Sequence, residues 1–143
     1  MLSLSKKVEY GLIALLHLDA TGSDSVVSSK ELAERSSLSI DLMGKVMQSL
    51  ARAGLITAEH GARGGYRLSR PLSAMTLGLV VEAIEGPTHL VPCQHDADQC
   101  IQFSSCIVKK PMQEIHTRLK GFMHGINLGE LQRPFPHARA GQG

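Results

Sequence analysis

Residues 28–69 read SSKELAERSSLSIDLMGKVMQSLARAGLITAEHGARGGYRLS, and this stretch decides the fold. Ser28 stands three residues before Glu31, the pattern of a capping box, and opens a short helix through SKELAERS that buries Leu32 and Ala33. The chain breaks at Ser36 and Ser37. Ser39 then caps a second helix, IDLMGKVMQSLARA, with Met43, Val46, Met47 and Leu50 on one side and Gly54 as its C-terminal stop. Two short helices joined by a tight turn form a helix-turn-helix, whose second helix enters the major groove of DNA. The outer side of that helix carries Asp41, Lys45, Gln48, Ser49 and Arg52, which can reach phosphates or base edges. Ser28 and Ser39, at the two helix starts, complete the candidate contacts on these helices. The competing reading of this segment alone is a solvated face on a small helical domain.

LITAEHGARGGYRLS shifts the balance, because it alternates on both sides of a glycine-rich turn and so predicts a β-hairpin of residues 55–59 and 65–69. A hairpin directly after a recognition helix is a wing. Its tip holds His60 and Arg63 among Gly61, Gly64 and Gly65, where glycines let a backbone come close to phosphates and an arginine can enter a narrow minor groove. The alternative is an ordinary hairpin whose turn carries an arginine.

Working outward, residues 4–19 place Val8, Leu12, Ile13, Leu15 and Leu16 on a broad helical face, with Lys6, Lys7 and Glu9 near its start. Residues 20–27 read as a polar loop. Thr76 opens a further helix, TLGLVVEAIE, ended by Gly86 and Pro87 and packed back on the winged domain. From Val108, Met112, Ile115, Leu119, Phe122 and Ile126 alternate at spacings of three and four. That is a heptad seam, whose cheapest partner is its own copy in a homodimer; packing on its own domain is the alternative. Pro111 marks either the start of the regular helix or a kink. Asn127 and Glu130 cap a short NLGELQR, and PFPHARAGQG reads as a disordered tail. No internal repeat is present.

The 143 residues fit one domain with an appended element, and the core must be aliphatic because there is no Trp, two Tyr and three Phe. A net charge of +2 makes no case for nucleic acid by itself, so that case rests on pattern. Lys6 and Lys7 before GLIALLHL faintly resemble a secretion signal, but Glu9, His17 and Asp19 interrupt it. No stretch approaches a membrane span, and a reducing cytoplasm is the expected location.

All three cysteines lie in LVPCQHDADQCIQFSSC, residues 90–106, with six residues between Cys93 and Cys100 and five between Cys100 and Cys106. Three thiols in one polar loop suggest a metal or cluster site, and they are one ligand short of what iron or zinc takes. The expected division is a winged helix-turn-helix DNA-binding domain over 1–86 and a cysteine-rich cluster loop over 87–106. A dimerisation helix with a short C-terminal helix then occupies 107–132, before a tail over 133–143. The fold class is mainly α with a small β-hairpin wing, a winged helix-turn-helix plus a long dimerisation helix.

This order of parts resembles the Rrf-type family of bacterial winged-helix iron-sulfur regulators, with IscR-like and NsrR-like members. The resemblance covers residues 2 to about 132. It rests on LSKKVEYGLIALLHL, KELAERSSLSIDLMGKVMQSLARAGLI, HGARGGYRL, the three-cysteine loop and INLGEL, in that order. It implies a homodimeric transcriptional regulator, a repressor in the reading adopted here, that holds a [2Fe-2S] or [4Fe-4S] cluster on Cys93, Cys100 and Cys106. Redox state, nitric oxide or iron-sulfur status would then alter DNA affinity. IscR-like members complete the site with a histidine three residues after the last cysteine, a position held here by Lys109. NsrR-like members use an acidic residue on the first helix of the other subunit, which implies Glu9; His95 and Asp96 compete for the role. The wing also departs from the family pattern, with His60 before the first wing glycine and the arginine moved to Arg63, and Gly44 stands where relatives place a base-reading side chain.

Three other readings compete. A structural zinc could sit on the cysteines and His95, although CxxC pairs are missing. The cysteines could act only as thiols, by reversible oxidation. An enzyme, for instance a thiol oxidoreductase using Cys93 or Cys106, finds no CxxC, no phosphate-binding loop and no paired acid and base.

Overall fold

The computed structural model describes residues 3–91 and 104–132. Among them run α1 (Lys6–Thr21), α2 (Ser29–Ser36), α3 (Ile40–Arg52), β1 (Ile56–Glu59), β2 (Gly65–Leu68), α4 (Leu77–Glu85) and α5 (Lys109–Gly125). Two short 3-10 turns, Leu72–Ala74 and Leu128–Gln132, lie before α4 and after α5. This is the mainly helical winged helix-turn-helix that the sequence predicts.

Each early helix starts on a hydroxyl. Ser5, Ser28, Ser39 and Thr76 accept from the amides of Val8, Glu31, Leu42 and Leu79 at 3.3, 3.1, 3.3 and 3.3 Å, satisfying donors that have no partner in the first turn. The expected capping box at Ser28 is used from one side, while the Glu31 carboxylate pairs with Arg35 at 2.6 Å. Helix α3 ends in a Schellman motif: Gly54, at φ 77°, donates to Ala51 and Leu55 donates to Leu50. Leu50 and Leu55 are both buried, so the turn leading into the wing is fixed by packing as well as by hydrogen bonds.

The core gathers Leu15 and Leu18 from α1, Leu32 and Ala33 from α2, Met43, Val46, Met47 and Leu50 from α3, and Val80 from α4. The deep stripe of α1 runs through Val8, Gly11, Ala14, Leu15 and Leu18, leaving the expected Leu12, Ile13 and Leu16 half-buried. Small residues take the centre because α1 is pressed by two helices: a Cβ on Gly11 would lie 2.5 Å from Ile84 Cδ1 and 3.6 Å from Val46.

The hairpin is antiparallel in the register Ile56 to Leu68 through Glu59 to Gly65, inside the expected spans. The loop expected over 20–27 differs at both ends, since α1 runs on through Thr21. Val27 is buried and pairs with Tyr66 through both backbone bonds, at 3.0 and 2.8 Å, tying the entry of α2 to the wing.

After α5, the Leu128 amide donates to Met75 and the Leu77 amide to the Ile126 carbonyl, and Leu128 joins the main core. Asn127 caps its own turn through the Gly129 amide at 2.8 Å and also donates to Ser73 at 2.7 Å. Pro111 falls in the first turn of α5, where no amide donor is needed, so the helix runs through it.

Candidate functional site

Helix α3 divides into two faces. Met43, Val46, Met47 and Leu50 are buried; Ile40, Asp41, Lys45, Gln48 and Arg52 are exposed. The structure brings Asp41 and Lys45 together as an ion pair at 3.4 Å across one turn, and Ser49 donates to the Lys45 carbonyl. Ser28 and Ser39 each accept one amide at a helix start, and each hydroxyl proton can still donate outward. Sequence reasoning missed a neighbour of Ser39: its backbone amide donates to the Tyr10 hydroxyl at 3.3 Å, so α1 holds the cap of α3. It also missed Ile40, which is 48% exposed directly behind that cap.

The hairpin tip is solvent-facing from His60 to Arg63. Gly61 turns it at φ 124° and its carbonyl accepts from Gly64, and a Cβ on Gly64 would lie 2.7 Å from the Glu59 carbonyl. Beside the tip, Arg67 is held by Glu59, the last residue of β1, at 3.0 Å.

Of the three cysteines, Cys93 and Cys100 lie outside the described residues, as do His95 and Asp96. Cys106 is a half-buried free thiol three residues before α5, and its carbonyl accepts from Lys109 at 3.5 Å. Glu9 is exposed near the start of α1 and pairs with Lys6 at 2.9 Å, which raises the Lys6 pKa through that hydrogen bond and the carboxylate's charge. Ser5, beside it in space, donates to Glu85 near the end of α4. Among the described residues no three His, Cys, Asp or Glu side chains converge. Three thiols are the soft donors that iron-sulfur units take, and Cys106 is a partly shielded free cysteine.

The expected seam lies on a helix with no buried residue. Ile115 and Phe122 are 50% and 68% exposed, while Met112 and Leu119 are half-covered. Ile126 lies past the last turn as the C-cap residue, its carbonyl committed to Leu77. Ile107 and Val108, leading into α5, are 92% and 52% exposed.

On its other side α5 is locked to α4. A Cβ on Gly78 would strike the His124 ring at 2.5 Å, and His124 Nδ1 lies 3.4 Å from Thr76 Oγ1. Lys120 Nζ and His124 Nε2 lie 3.0 and 3.2 Å from Glu82 Oε1. Neither meets that covered oxygen at hydrogen-bonding angles, so the link is one of charge. Lys120 is the main reason the Glu82 carboxyl sits below its ordinary pKa; burial opposes the shift and His124 adds to it.

The family model described as "Rrf2: Iron-dependent Transcriptional regulator" matches residues 4–134. The "HTH-type transcriptional regulator IscR" of Photobacterium profundum is 28% identical over 130 residues, covering 91% of this chain and 75% of that protein. Among solved structures, T. potens IscR superposes with a TM-score of 0.70 at 25% identity, over 99% of this chain and 94% of that one. CymR, the global cysteine regulator of B. subtilis, superposes with a TM-score of 0.67 at 25% identity, over 92% of this chain and 97% of that one. Among the described residues no helix is long and apolar enough to cross a membrane.

Proposed function

The chain belongs to the Rrf2 family of transcriptional regulators, and from that membership we propose that it acts as a homodimeric repressor whose affinity for its operator is set by an iron-sulfur cluster. The observation that carries the DNA-binding half is a capped helix with a polar outer face, joined by a Schellman turn to a glycine-tipped hairpin that exposes His60 and Arg63. In this reading Asp41, Lys45, Gln48, Ser28 and Ser39 meet the major groove and its phosphates, and His60 and Arg63 reach the adjacent minor groove.

Cys93, Cys100 and Cys106 would hold the cluster as thiolates, with Glu9 from the second copy as the oxygen donor. Bound there, it supplies an iron centre whose presence and oxidation state respond to oxidants and nitric oxide. The chain's own residues carry the consequence. Cys106 fixes the approach to α5, α5 is locked to α4 through Glu82, Lys120 and His124, and Ile115, Phe122, Met112, Leu119 and Ile126 supply the dimer seam. Restraining or freeing Cys106 therefore alters the joint that spaces the two recognition helices, and half-site spacing decides operator binding. On the other flank Glu9 precedes Tyr10, which holds the cap of α3.

A second reading keeps the fold and the DNA interface and uses the cysteines only as thiols. It is favoured by the free, half-buried Cys106 and by the likeness to CymR. The test is iron, zinc and acid-labile sulfide per chain on protein purified without oxygen, with its visible spectrum. Iron and sulfide near two or four per chain is the expected result. Zinc without sulfide means a structural metal, and colourless, metal-free protein that takes up no iron and sulfide on reconstitution means a thiol switch. Glu9→Ala should leave the cluster present but quicker to decay; an unchanged lifetime removes Glu9 from the site.

A further inference from the structure

We propose that Ile40 packs on the C5-methyl group of a thymine in the major groove, and that Gly44, one turn along, is glycine because the helix backbone comes against the DNA there. This rests on the DNA-binding reading above and names one of the contacts that give it specificity.

Two independent observations carry it. Among the described residues the large exposed apolar side chains are Leu4, Ile40, Ile107, Val108, Ile115 and Phe122. Four of these lie on or just before the seam helix. Ile40 stands apart from them, at the first position of α3, where the N-terminal residues of a recognition helix meet base edges. Thymine alone among the bases presents a methyl group in that groove, and apolar side chains are its partners.

The second observation is Gly44. A glycine in a helix interior is about 1 kcal/mol worse than alanine, so its presence asks for a reason. Gly11, Gly64, Gly65, Gly78 and Gly129 are hemmed in by neighbours, and Gly22, Gly54, Gly61 and Gly86 have positive φ. Gly44 has neither excuse: its φ is helical and a Cβ would meet nothing within 4 Å. Among the described glycines, Gly121 and Gly125 share its open surroundings without a positive φ, and both lie on the seam helix. No described residue crowds Gly44, and the proposed approach of DNA supplies what does.

Ile40 and Gly44 share one face at a spacing of four, with exposed Gln48 four further on. The flanking charges, Asp41 and Lys45, are paired with each other. The stripe that remains is an apolar knob, a bare backbone and an amide, which fits thymine and adenine edges better than guanine.

The test begins by selecting duplexes from a random pool, with full-length protein both purified without oxygen and after iron removal. Each thymine of the selected sequence is then replaced by deoxyuridine, which deletes only the methyl group. One position per half-site should weaken binding about fourfold, the worth of one buried methyl, and Ile40→Ala should abolish that sensitivity. Gly44→Ala should melt higher and bind the selected duplex at least tenfold more weakly, with non-specific binding unchanged. If neither form selects any sequence, the regulator reading falls and takes this inference with it. If a sequence is selected but no uracil matters, or Ile40→Ala keeps the same sensitivity, the thymine contact is wrong while the regulator stands. If Gly44→Ala binds as well as the parent, the close approach is wrong.

Discussion

Gly65 and Gly44 are glycines for opposite reasons. A Cβ on Gly65 would lie 2.6 Å from the Val27 carbonyl carbon, so the backbone of the α2 entry blocks it. Gly65→Ala should lower unfolding stability in urea by roughly 2 kcal/mol or more, since backbone on both sides must move. Gly44→Ala should instead raise it by up to about 1 kcal/mol, because among the described residues nothing lies within 4 Å of the added methyl group. Both were visible in the sequence as glycines, but only coordinates separate a crowded one from an open one. Ile40 was hidden for a related reason: helical periodicity sorts apolar residues inward, and an apolar residue that faces out looks like part of the stripe.

At the scale of elements, the sequence was most legible where a local rule decides. Serine and threonine caps, the glycine stop at Gly54 and the alternation around HGARGGYR placed α2, α3, the hairpin and α4 to within about two residues. Ser39→Ala should lower stability by about 1 kcal/mol, read by thermal or urea unfolding, and should weaken specific DNA binding by loosening the start of α3. The strand-like pairing of Val27 with Tyr66 was not legible, because one bridge residue at the end of a polar loop has no pattern of its own. Nor was the charge link between α4 and α5, since Glu82, Lys120 and His124 are brought together by tertiary packing. The lowered Glu82 pKa makes this link stabilising above the ordinary carboxylate range, with loss as pH falls through the lowered value. Glu82→Gln should therefore be less stable than the parent by roughly 1 kcal/mol near neutral pH. The difference should narrow only below about pH 4, in urea titrations at a series of pH values. A gap that does not change with pH would assign the loss to packing alone.

For the whole molecule, the wing and helix-turn-helix follow from patterns along the chain, whereas the proposed cysteine site and the proposed dimer would be completed by groups that local patterns do not specify. Cys93 and Cys100 fall outside the described residues, and Glu9 pairs within its own chain with Lys6. The exposed Ile115 and Phe122 make the proposed assembly testable. Ile115→Glu with Phe122→Glu should leave helical content intact, since both are exposed, and should convert a dimer to a monomer in sedimentation. A double variant that still sediments as a dimer would move the interface elsewhere. If cysteine-bound iron and sulfide control the spacing of two recognition helices, removing iron must act unequally on specific and non-specific DNA binding. The most direct measurement is the ratio of specific to non-specific DNA affinity at one salt concentration, before and after removal of iron. The account predicts that the specific affinity changes at least tenfold while the non-specific affinity barely moves; equal changes in both would contradict it.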